Sequence, residues 1–381
     1  MKVAFLSNDP ASTVRFRGAL IRDLVSLGHE VVSIGPRHTI ADQDDLRGMG
    51  AEWADWNIER KIGSGLIKHA FVLIKILRKE APDTLMASFI QPIILSSFSG
   101  AIARIPHRVA LFEGLGFSFS DSPVGLRHAM TRVIIRRFLK VGLWFFHRAV
   151  FLNECDKEEL CQRKIVSRAK SQVVPGIGID IDEYFPKPSE ENGRPLRVLM
   201  AARLVREKGV VEYCHAAKQF RERSGVEFFL AGGLDQNPSA LSRDEVQALC
   251  EECGVEWIGH VSNMREEYQS SDIFVLPSYY REGMPRTILE AMACGLPVIT
   301  TDNVGCRDAV SDGQEGFLVS IKNASELAEK LSLVLDQPEL RASLGERARN
   351  RAEVDFSSTR INGIFISILV RDDGHGKPPL A

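Results

Sequence analysis

Short apolar runs alternate with amphipathic segments along the first half of the chain. The runs have the length and the Val, Ile, Leu and Phe content of buried strands, whereas the segments between them repeat apolar residues at helical spacing. Alternation of this kind predicts a parallel sheet wrapped by helices. The predicted strands are residues 3–6, 30–34, 84–88 and 108–112, and the predicted helices are residues 17–27, 67–79 and 92–103.

The second half repeats the same plan. Its predicted strands are residues 196–201, 226–231, 256–258, 273–276 and 298–300, and its predicted helices are residues 211–224, 243–253, 266–270, 287–293 and 324–335. Between the halves, residues 173–178 and 185–195 are rich in proline, glycine and charge, which is typical of a linker. We therefore predict an α/β protein with two Rossmann-like domains whose parallel sheets face a cleft.

The length of 381 residues suits two domains, each large enough to bury its own core. We place the N-terminal domain at residues 1–175 and the C-terminal domain at residues 176–355. A helix at about residues 356–370 is expected to pack back on the N-terminal domain, and residues 372–381 are expected to form a disordered tail.

Composition places the protein in a reducing compartment. No run of about twenty uncharged apolar residues is present, so no membrane span is predicted. The chain runs straight into its first predicted strand, which argues against a signal peptide. The seven cysteines are scattered, as expected for reduced thiols. We expect a cytoplasmic protein, either free or peripheral at the inner face of the cell membrane.

Charge is unevenly distributed around a net value of −2. Residues 1–150 contain 20 Lys and Arg against 13 Asp and Glu, a net charge of +7, and the remainder carries −9. The basic excess concentrates at residues 127–148, where Arg132, Arg136 and Lys140 are predicted to share one helical face among aromatic neighbours. Such a helix either lies on anionic lipid or packs its apolar side inward. Without a recognised binding fold or a basic pI, nucleic acid is not an expected partner.

Two carboxylates flank a turn in the second half. Glu282 follows the predicted strand at 273–276, and Glu290 lies eight positions later inside the next predicted helix, beyond Pro285. Proline suits the first turn of a helix, whose first backbone amides lack intrahelical partners and bind anions. The expected free amides at this helix end are those of Arg286, Thr287 and Ile288. Fixed carboxylates beside an anion site suit a ligand with hydroxyls around a phosphate, such as a nucleotide sugar.

Two cations follow the strand predicted at residues 196–201. Arg203 and Lys208 leave its carboxyl end, where ligands gather in open α/β sheets. Arginine can hold two phosphate oxygens at once, and lysine supplies a point charge. A lone pair of this spacing is weak evidence, but combined with the carboxylate turn it predicts a diphosphate site.

Several motifs together resemble a known family. They include Arg203 with Lys208, Arg281-Glu-Gly-Met-Pro-Arg286, Gly295-Leu-Pro-Val-Ile-Thr-Thr301 and, near the start, Phe16-Arg-Gly18 and Gly114-Leu-Gly-Phe117. This set resembles the retaining glycosyltransferases of family four, which have the GT-B fold. It is most similar to bacterial transferases that extend lipid-linked saccharides for capsule, O-antigen or protein glycans. The resemblance implies a UDP-linked hexose or N-acetylhexosamine donor, a polyprenyl-diphosphate-linked acceptor, and no metal or other cofactor.

The resemblance also implies roles for single residues. Arg203 and Lys208 are expected to hold the donor diphosphate, and Gly18, which we expect to open the first helix, is expected to let the backbone approach it. Glu290 is expected to bind the ribose hydroxyls. The donor sugar is expected to be bound by Glu282 and the backbone amides of Gly283 and Met284.

One departure from the family pattern concerns the acceptor. Many members carry a histidine after the strand that ends here at Phe112, whereas this chain has Glu113. Glu113 either orients the acceptor hydroxyl or caps the loop. The predicted activity is a metal-independent transfer with retention. The alternatives left open are a sugar-nucleotide epimerase on the same fold and a non-catalytic, membrane-associated sugar-nucleotide-binding subunit.

Overall fold

The computed structural model describes residues 1–56, 66–119, 126–187, 193–235, 237 and 239–370. The chain forms two compact units. The first contains Met1–Ile177 together with the C-terminal helix, and the second contains Gly178–Ser357. The predicted disordered tail at residues 372–381 lies outside the described residues.

The first unit is a parallel sheet of seven strands with helices on its faces. Its strands are β1 (Lys2–Leu6), β2 (Glu30–Gly35), β3 (Glu52–Asp55), β4 (Thr84–Ser88), β5 (His107–Phe112), β6 (Arg148–Phe151) and β7 (Ser171–Val173). Its helices are α1 (Pro10–Ser26), α2 (Ile40–Gly48), α3 (Leu66–Glu80), α4 (Ile90–Ile102), α5 (Leu126–Leu143) and α6 (Glu154–Gln162). The strand order is β3-β2-β1-β4-β5-β6-β7, so the order reverses between β1 and β4.

The second unit is a parallel sheet of six strands. Its strands are β8 (Leu196–Ala201), β9 (Val226–Ala231), β10 (Val255–Gly259), β11 (Ile273–Leu276), β12 (Val298–Thr301) and β13 (Gly316–Val319). Its helices are α7 (Val210–Lys218), α8 (Arg243–Cys253), α9 (Met264–Gln269), α10 (Arg286–Ala293), α11 (Cys306–Ala309), α12 (Ala324–Asp336) and α13 (Pro338–Asp355). The strand order is β10-β9-β8-β11-β12-β13, with the reversal between β8 and β11.

Both sheets are built from strands with apolar side chains on both faces. All five residues of β4 and all four of β11 are buried, as expected where helices cover a parallel sheet on both sides. Two Rossmann-like domains are therefore present, as predicted. The sequence pattern missed β3, β6, β7 and β13. The strands β3 and β7 are three or four residues long, lie at or near a sheet edge and are mostly half-exposed, so they carry no continuous apolar signal.

The last described helix, α14 (Ser358–Leu369), belongs to the first unit. It packs against α1, where the Asn362 side-chain amide donates to Asp23 Oδ2 at 2.7 Å. At its end, Thr84 Oγ1 donates to the carbonyl of Leu369 at 2.8 Å. The chain therefore crosses from the first unit to the second and returns.

Candidate functional site

The loop after β8 brings Lys208 to the neighbouring strand β11. Gly209 follows Lys208 with a φ of +81°, and a Cβ at this position would lie 2.1 Å from the carbonyl oxygen of Pro277. Only glycine fits a positive φ at so close an approach. Because Pro277 directly follows β11, this contact sets Lys208 beside the loop that leads to α10.

Lys208 and Glu282 form an ion pair at the carboxyl end of the second sheet. The Lys208 ammonium contacts Glu282 Oε1, although the two residues are 74 positions apart in the sequence. Ser278 Oγ donates to the same carboxylate oxygen at 3.2 Å. The side chains of Lys208 and Glu282 are 12% and 13% exposed, so the pair is largely shielded from solvent. The structure thus joins the predicted cation and the predicted carboxylate.

A second glycine shapes the turn that carries Glu282. Gly305 has a φ of +83°, and a Cβ there would lie 2.8 Å from the carbonyl oxygen of Glu282 and 2.9 Å from that of Gly283. The Asn303 side-chain amide donates to the carbonyl of Tyr280 at 2.8 Å. These backbone contacts hold the turn from outside, so the position of Glu282 does not depend on its own side-chain contacts alone.

Arg203 has a different partner from Lys208. Its guanidinium pairs with Asp235 at 3.0 Å, and its side chain is 54% exposed. Asp235 follows the carboxyl end of β9, and its carboxylate also accepts from the backbone amide of Asn237 at 2.8 Å. Sequence reasoning missed Asp235, although its position after Gly232 and Gly233 at a strand end was a usable signal.

Glu290 is buried inside α10 and is held by two side chains. Tyr268 donates its hydroxyl to Glu290 Oε2 at 2.9 Å, and Arg286 donates Nε–H to Oε1 at 2.7 Å. Burial, followed by the negative charge of Glu290, raises the pKa of Tyr268 well above its usual value, so this phenol remains a donor. Tyr268 was not predicted from the sequence, because it lies 22 positions before Glu290 on a separate helix.

The amino end of α10 corrects part of the prediction made for it. Pro285 precedes the helix as its N-cap, and α10 begins at Arg286. The backbone amide of Ile288 donates to the carbonyl of Pro285 at 3.1 Å, so the expectation that Ile288 offers a free donor is wrong. This bond tightens the first turn of the helix. Met284 is buried, and the side chain of Thr287 is partly exposed.

The expectation that Gly18 opens the first helix is also wrong. The helix α1 begins at Pro10, eight residues before Gly18, so Gly18 lies within the helix rather than at its start. A Cβ on Gly18 would lie 3.0 Å from the terminal methyl of Met49. The missing side chain therefore makes room for packing against the residue that caps α2. The error arose because the apolar period is clear only from residue 17 onward.

Glu113 follows β5 in the first unit and is paired with a buried arginine. Arg17 of α1 donates to Glu113 Oε1 at 2.8 Å, and their side chains are 3% and 11% exposed. Glu113 was predicted from the sequence, whereas no role was predicted for Arg17. Its signal was its place in the Phe16-Arg-Gly18 motif.

Three adjacent helices of the first unit carry most of the exposed apolar side chains. Of the 18 exposed large hydrophobic residues among the described positions, 11 lie on α3, α4, α5 or directly after α5. They are Ile67, Phe71, Val72, Phe98, Ile102, Met130, Val133, Ile134, Phe138, Val141 and Trp144. Exposed cations, among them Lys68, Lys75, Arg137 and Lys140, accompany them, whereas Arg132 is buried and so leaves the predicted basic face. We call this surface the three-helix face.

Neither a membrane-spanning helix nor a metal-binding cluster is found among the described residues. No helix in the described ranges has the length and apolar content needed to cross a bilayer. No group of three or more His, Cys, Asp or Glu side chains in that part of the chain is placed to hold a metal ion. The sequence Asp180-Ile-Asp182 has the D-x-D spacing that can hold a divalent metal in some sugar transferases, but here it forms a turn in which Asp180 Oδ1 accepts from the backbone amides of Asp182 and Glu183.

Comparison with known proteins gives consistent matches. Residues 181–351 match the family model described as glycosyl transferases group 1. The chain is 31% identical, over 92% of its length and 94% of the relative, to the N,N'-diacetylbacillosaminyl-diphospho-undecaprenol alpha-1,3-N-acetylgalactosaminyltransferase of Campylobacter jejuni. It is 23% identical to the capsular polysaccharide biosynthesis glycosyltransferase CapM of Staphylococcus aureus, over 77% of both chains.

Solved structures match over nearly the whole chain. The Anabaena protein Alr3699/HepE, crystallised with UDP, superposes with a TM-score of 0.78 at 18% identity, covering 97% of this chain and 99% of that one. A glycosyltransferase from Rickettsia africae superposes with a TM-score of 0.77 at 19% identity, covering 97% and 98%. These likenesses confirm the predicted GT-B fold class.

Proposed function

Because the chain belongs to the group 1 family of glycosyl transferases, it is a glycosyltransferase, and we propose that it moves a sugar from a UDP-sugar to a hydroxyl of a lipid-linked saccharide. The family resemblance drawn from the sequence is confirmed. We further propose that the sugar is a hexose or an N-acetylhexosamine, that its anomeric configuration is retained, and that no metal ion is required. The product would enter bacterial surface polysaccharide or glycan synthesis.

The Lys208–Glu282 pair is the observation that carries this proposal. The Lys208 ammonium and the Glu282 carboxylate pair with each other at the end of the sheet where open α/β folds bind ligands. A nucleoside diphosphate sugar supplies a better partner to each, because its phosphate oxygens attract Lys208 and its sugar hydroxyls donate to Glu282. A single ligand of this class therefore gives both Lys208 and Glu282 a new partner.

The same groups suit the charge changes of the reaction. When the bond between the sugar C1 and the diphosphate oxygen breaks, negative charge grows on the leaving diphosphate. Lys208 is a largely buried cation that stabilises this charge with little solvent reorganisation, and the more exposed Arg203 adds a second positive charge. In this proposal the acceptor oxygen bonds to C1 on the same face, and its proton passes to the leaving phosphate oxygen. Glu282 is then a residue that positions the sugar, because the hydroxyls of the donor sugar occupy its carboxylate.

The comparisons support the choice of donor and acceptor. The Campylobacter jejuni relative is named for a diphospho-undecaprenol-linked acceptor and for transfer of N-acetylgalactosamine. The Anabaena neighbour was crystallised with UDP and also with UDP-glucose. The similarity to the first of these extends over almost the full length of both chains, so both halves of the relative are matched.

A donor and acceptor screen tests this function. The purified protein is incubated with UDP-, GDP- and dTDP-sugars and a polyprenyl-diphosphate-linked saccharide, in buffer with and without EDTA. We expect release of UDP that depends on the acceptor, an α-linked product by NMR, and equal rates with EDTA. Interconversion of the UDP-sugar without acceptor would favour the epimerase alternative. Binding of a UDP-sugar without turnover on any lipid acceptor would favour the non-catalytic subunit.

We also propose that the three-helix face rests on an anionic membrane that contains the acceptor. Its helices combine exposed aromatic and aliphatic side chains with cations, and α4 and α5 contain no acidic residue. Aromatic and basic side chains at one surface suit the interface of an anionic bilayer. Leu139 and Leu143 of α5 pack inward, as the alternative expects, but Val133, Ile134 and Phe138 remain exposed, so the helix also presents apolar side chains outward.

Liposome co-sedimentation tests the membrane proposal. Arg137→Glu/Lys140→Glu should weaken binding to vesicles containing phosphatidylglycerol by at least about 30-fold, because each lost cation near an anionic surface removes about 1 kcal/mol. Trp144→Ser should weaken binding at every salt concentration, since its contribution is apolar. The matched control is Arg221→Glu/Arg243→Glu, which makes the same change in charge at exposed positions of the second unit. Equal loss in both charge variants, or none in either, would contradict docking through this face.

A further inference from the structure

The proposed donor site contains two cations, and each of them is paired with a carboxylate of the protein. Lys208 contacts Glu282, and Arg203 contacts Asp235 at 3.0 Å. The first carboxylate has a role in the proposed function, because Glu282 receives the hydroxyls of the donor sugar. The second carboxylate brings a negative charge to a site that must bind a negatively charged diphosphate, so its presence requires a separate explanation.

Both ion pairs lie close to Tyr280. The Lys208 ammonium is 5.8 Å from the centre of the Tyr280 ring. Burial, followed by the negative charge of Glu282, raises the pKa of Tyr280. Arg203 opposes this rise and Asp235 adds to it. Because charges shift a pKa in this way only over short distances, Asp235 is close enough to the Lys208–Glu282 pair to act on the same ligand.

The loop that carries Asp235 is fastened to the loop that carries Arg203. The backbone amide of Leu204 donates to the carbonyl of Gly233 at 3.4 Å. The backbone amide of Leu241, on the far side of Asp235, donates to the carbonyl of Leu204 at 2.9 Å. The two loops therefore stay together through backbone hydrogen bonds that do not involve the ion pair.

Asp235 is held more firmly than its partner. Its Oδ1 accepts from the backbone amide of Asn237 at 2.8 Å, and its side chain is 22% exposed. The Arg203 side chain is 54% exposed and long enough to turn away from Asp235. An ion pair with so exposed a partner is weak, so a diphosphate can draw Arg203 away from the fixed carboxylate.

Donor and product differ in charge at the atoms that these cations hold. A UDP-sugar carries one negative charge on each phosphate. In UDP the terminal phosphate is free and ionises a second time with a pKa of about 6, so the product carries one further negative charge at neutral pH. A carboxylate beside the diphosphate therefore repels UDP more strongly than it repels the UDP-sugar.

We propose that Asp235 distinguishes product from substrate at the donor site, because it takes Arg203 back after transfer and weakens the binding of UDP more than that of the UDP-sugar. When the donor binds, Arg203 turns from Asp235 to the diphosphate. When UDP leaves, the Arg203–Asp235 pair forms again, which offsets part of the free energy needed for release. The inference rests on the proposed function, because it concerns the leaving group of that transfer.

Binding measurements on Asp235→Asn test this role without turnover. The asparagine keeps a side-chain oxygen to accept from Asn237 but removes the negative charge. Calorimetry gives the dissociation constants of UDP and of its β-methyl ester, whose terminal phosphate carries a single charge as in a UDP-sugar. The ratio of the UDP constant to the ester constant should fall by about 5-fold or more, the effect of one unit charge on another at about 4 Å in water. Asp235→Glu keeps the charge and should keep the wild-type ratio.

Arg223 and Asp336 provide the matched control. They form another arginine–aspartate pair in the second unit, at 2.7 Å, with partly exposed side chains. Arg223 precedes β9, whereas Asp235 follows it, so the control pair lies at the opposite end of the sheet. Asp336→Asn removes the same charge there and should leave both dissociation constants unchanged.

The possible outcomes separate this inference from the proposed function. A lower ratio in Asp235→Asn, with tighter binding of UDP, supports the role of Asp235. An unchanged ratio, or the same change in Asp336→Asn, would overturn it even if transfer is observed. Weaker binding of UDP by Asp235→Asn would also overturn it, because that is the result expected if Asp235 only orients Arg203. If the wild type binds neither UDP nor the ester, the proposed donor site is wrong and this inference with it.

Discussion

Lys208→Ala is expected to reduce sugar transfer by about 100- to 1000-fold, the usual cost of removing one preorganised group that stabilises transition-state charge. Glu282→Ala is expected to reduce transfer by at least as much, because the donor sugar then loses the carboxylate that positions it. Both effects are measured as kcat/KM for the donor with saturating acceptor. The thermal unfolding midpoint of each variant shows whether the second unit remains folded.

The contact between the two side chains makes the double variant informative. The effects of substituting two residues in contact are not additive, because the first substitution already breaks the interaction that they share. The kcat/KM of Lys208→Ala/Glu282→Ala for the donor should therefore be no more than about tenfold below that of the less active single variant. Independent, multiplying losses would mean that the pair does not act on one ligand.

Lys218 and Glu252 provide the control for this experiment. They form another lysine–glutamate pair in the second unit, at 2.6 Å, but both side chains are largely exposed. Exposed pairs contribute about 0–1 kcal/mol to stability, so Lys218→Ala and Glu252→Ala should leave both folding and transfer close to the wild type. Near-wild-type transfer by purified Lys208→Ala and Glu282→Ala would refute the proposed donor site.

Gly209→Ala is expected to destabilise the second unit by more than about 4 kcal/mol, in the range reserved for severe packing or backbone conflicts. The alanine Cβ would lie 2.1 Å from the backbone oxygen of Pro277, and backbone cannot rotate away as a side chain can. The measurement is the free energy of unfolding from urea titration. Any folded fraction should also lose transfer, because Lys208 precedes the displaced residue.

Gly225→Ala separates the steric conflict from the backbone conformation. Gly225 has a φ of +80°, almost the same as that of Gly209, but no atom lies within 4 Å of its added Cβ. Its substitution should cost only about 1–2 kcal/mol for the left-handed conformation. Equal losses at Gly209 and Gly225 would show that the close approach to Pro277 has no energetic importance.

The sequence predicted the positions of some site residues, but not the contacts that these residues make. Lys208 and Glu282 were predicted together because each follows a clear apolar strand, and the carboxyl ends of parallel strands share one edge of a sheet. Their direct contact could not be read from spacing, since it depends on the backbone approach at Gly209 and on the turn held by Gly305. Ile288 could not be predicted correctly for a similar reason. Its backbone amide donates to the carbonyl of Pro285, and this bond depends on the exact residue at which α10 begins.

By itself the sequence determined the two Rossmann-like domains, the family and which strand ends carry charged side chains, because burial imposes a period on each element and loops follow at known positions. Only the tertiary structure decided the partners: Asp235 for Arg203, Tyr268 for Glu290, and Arg17 for Glu113. The physical reason is that a hydrogen bond or ion pair between distant residues depends on how elements pack, and periodicity along one element carries no record of its neighbour's side chains.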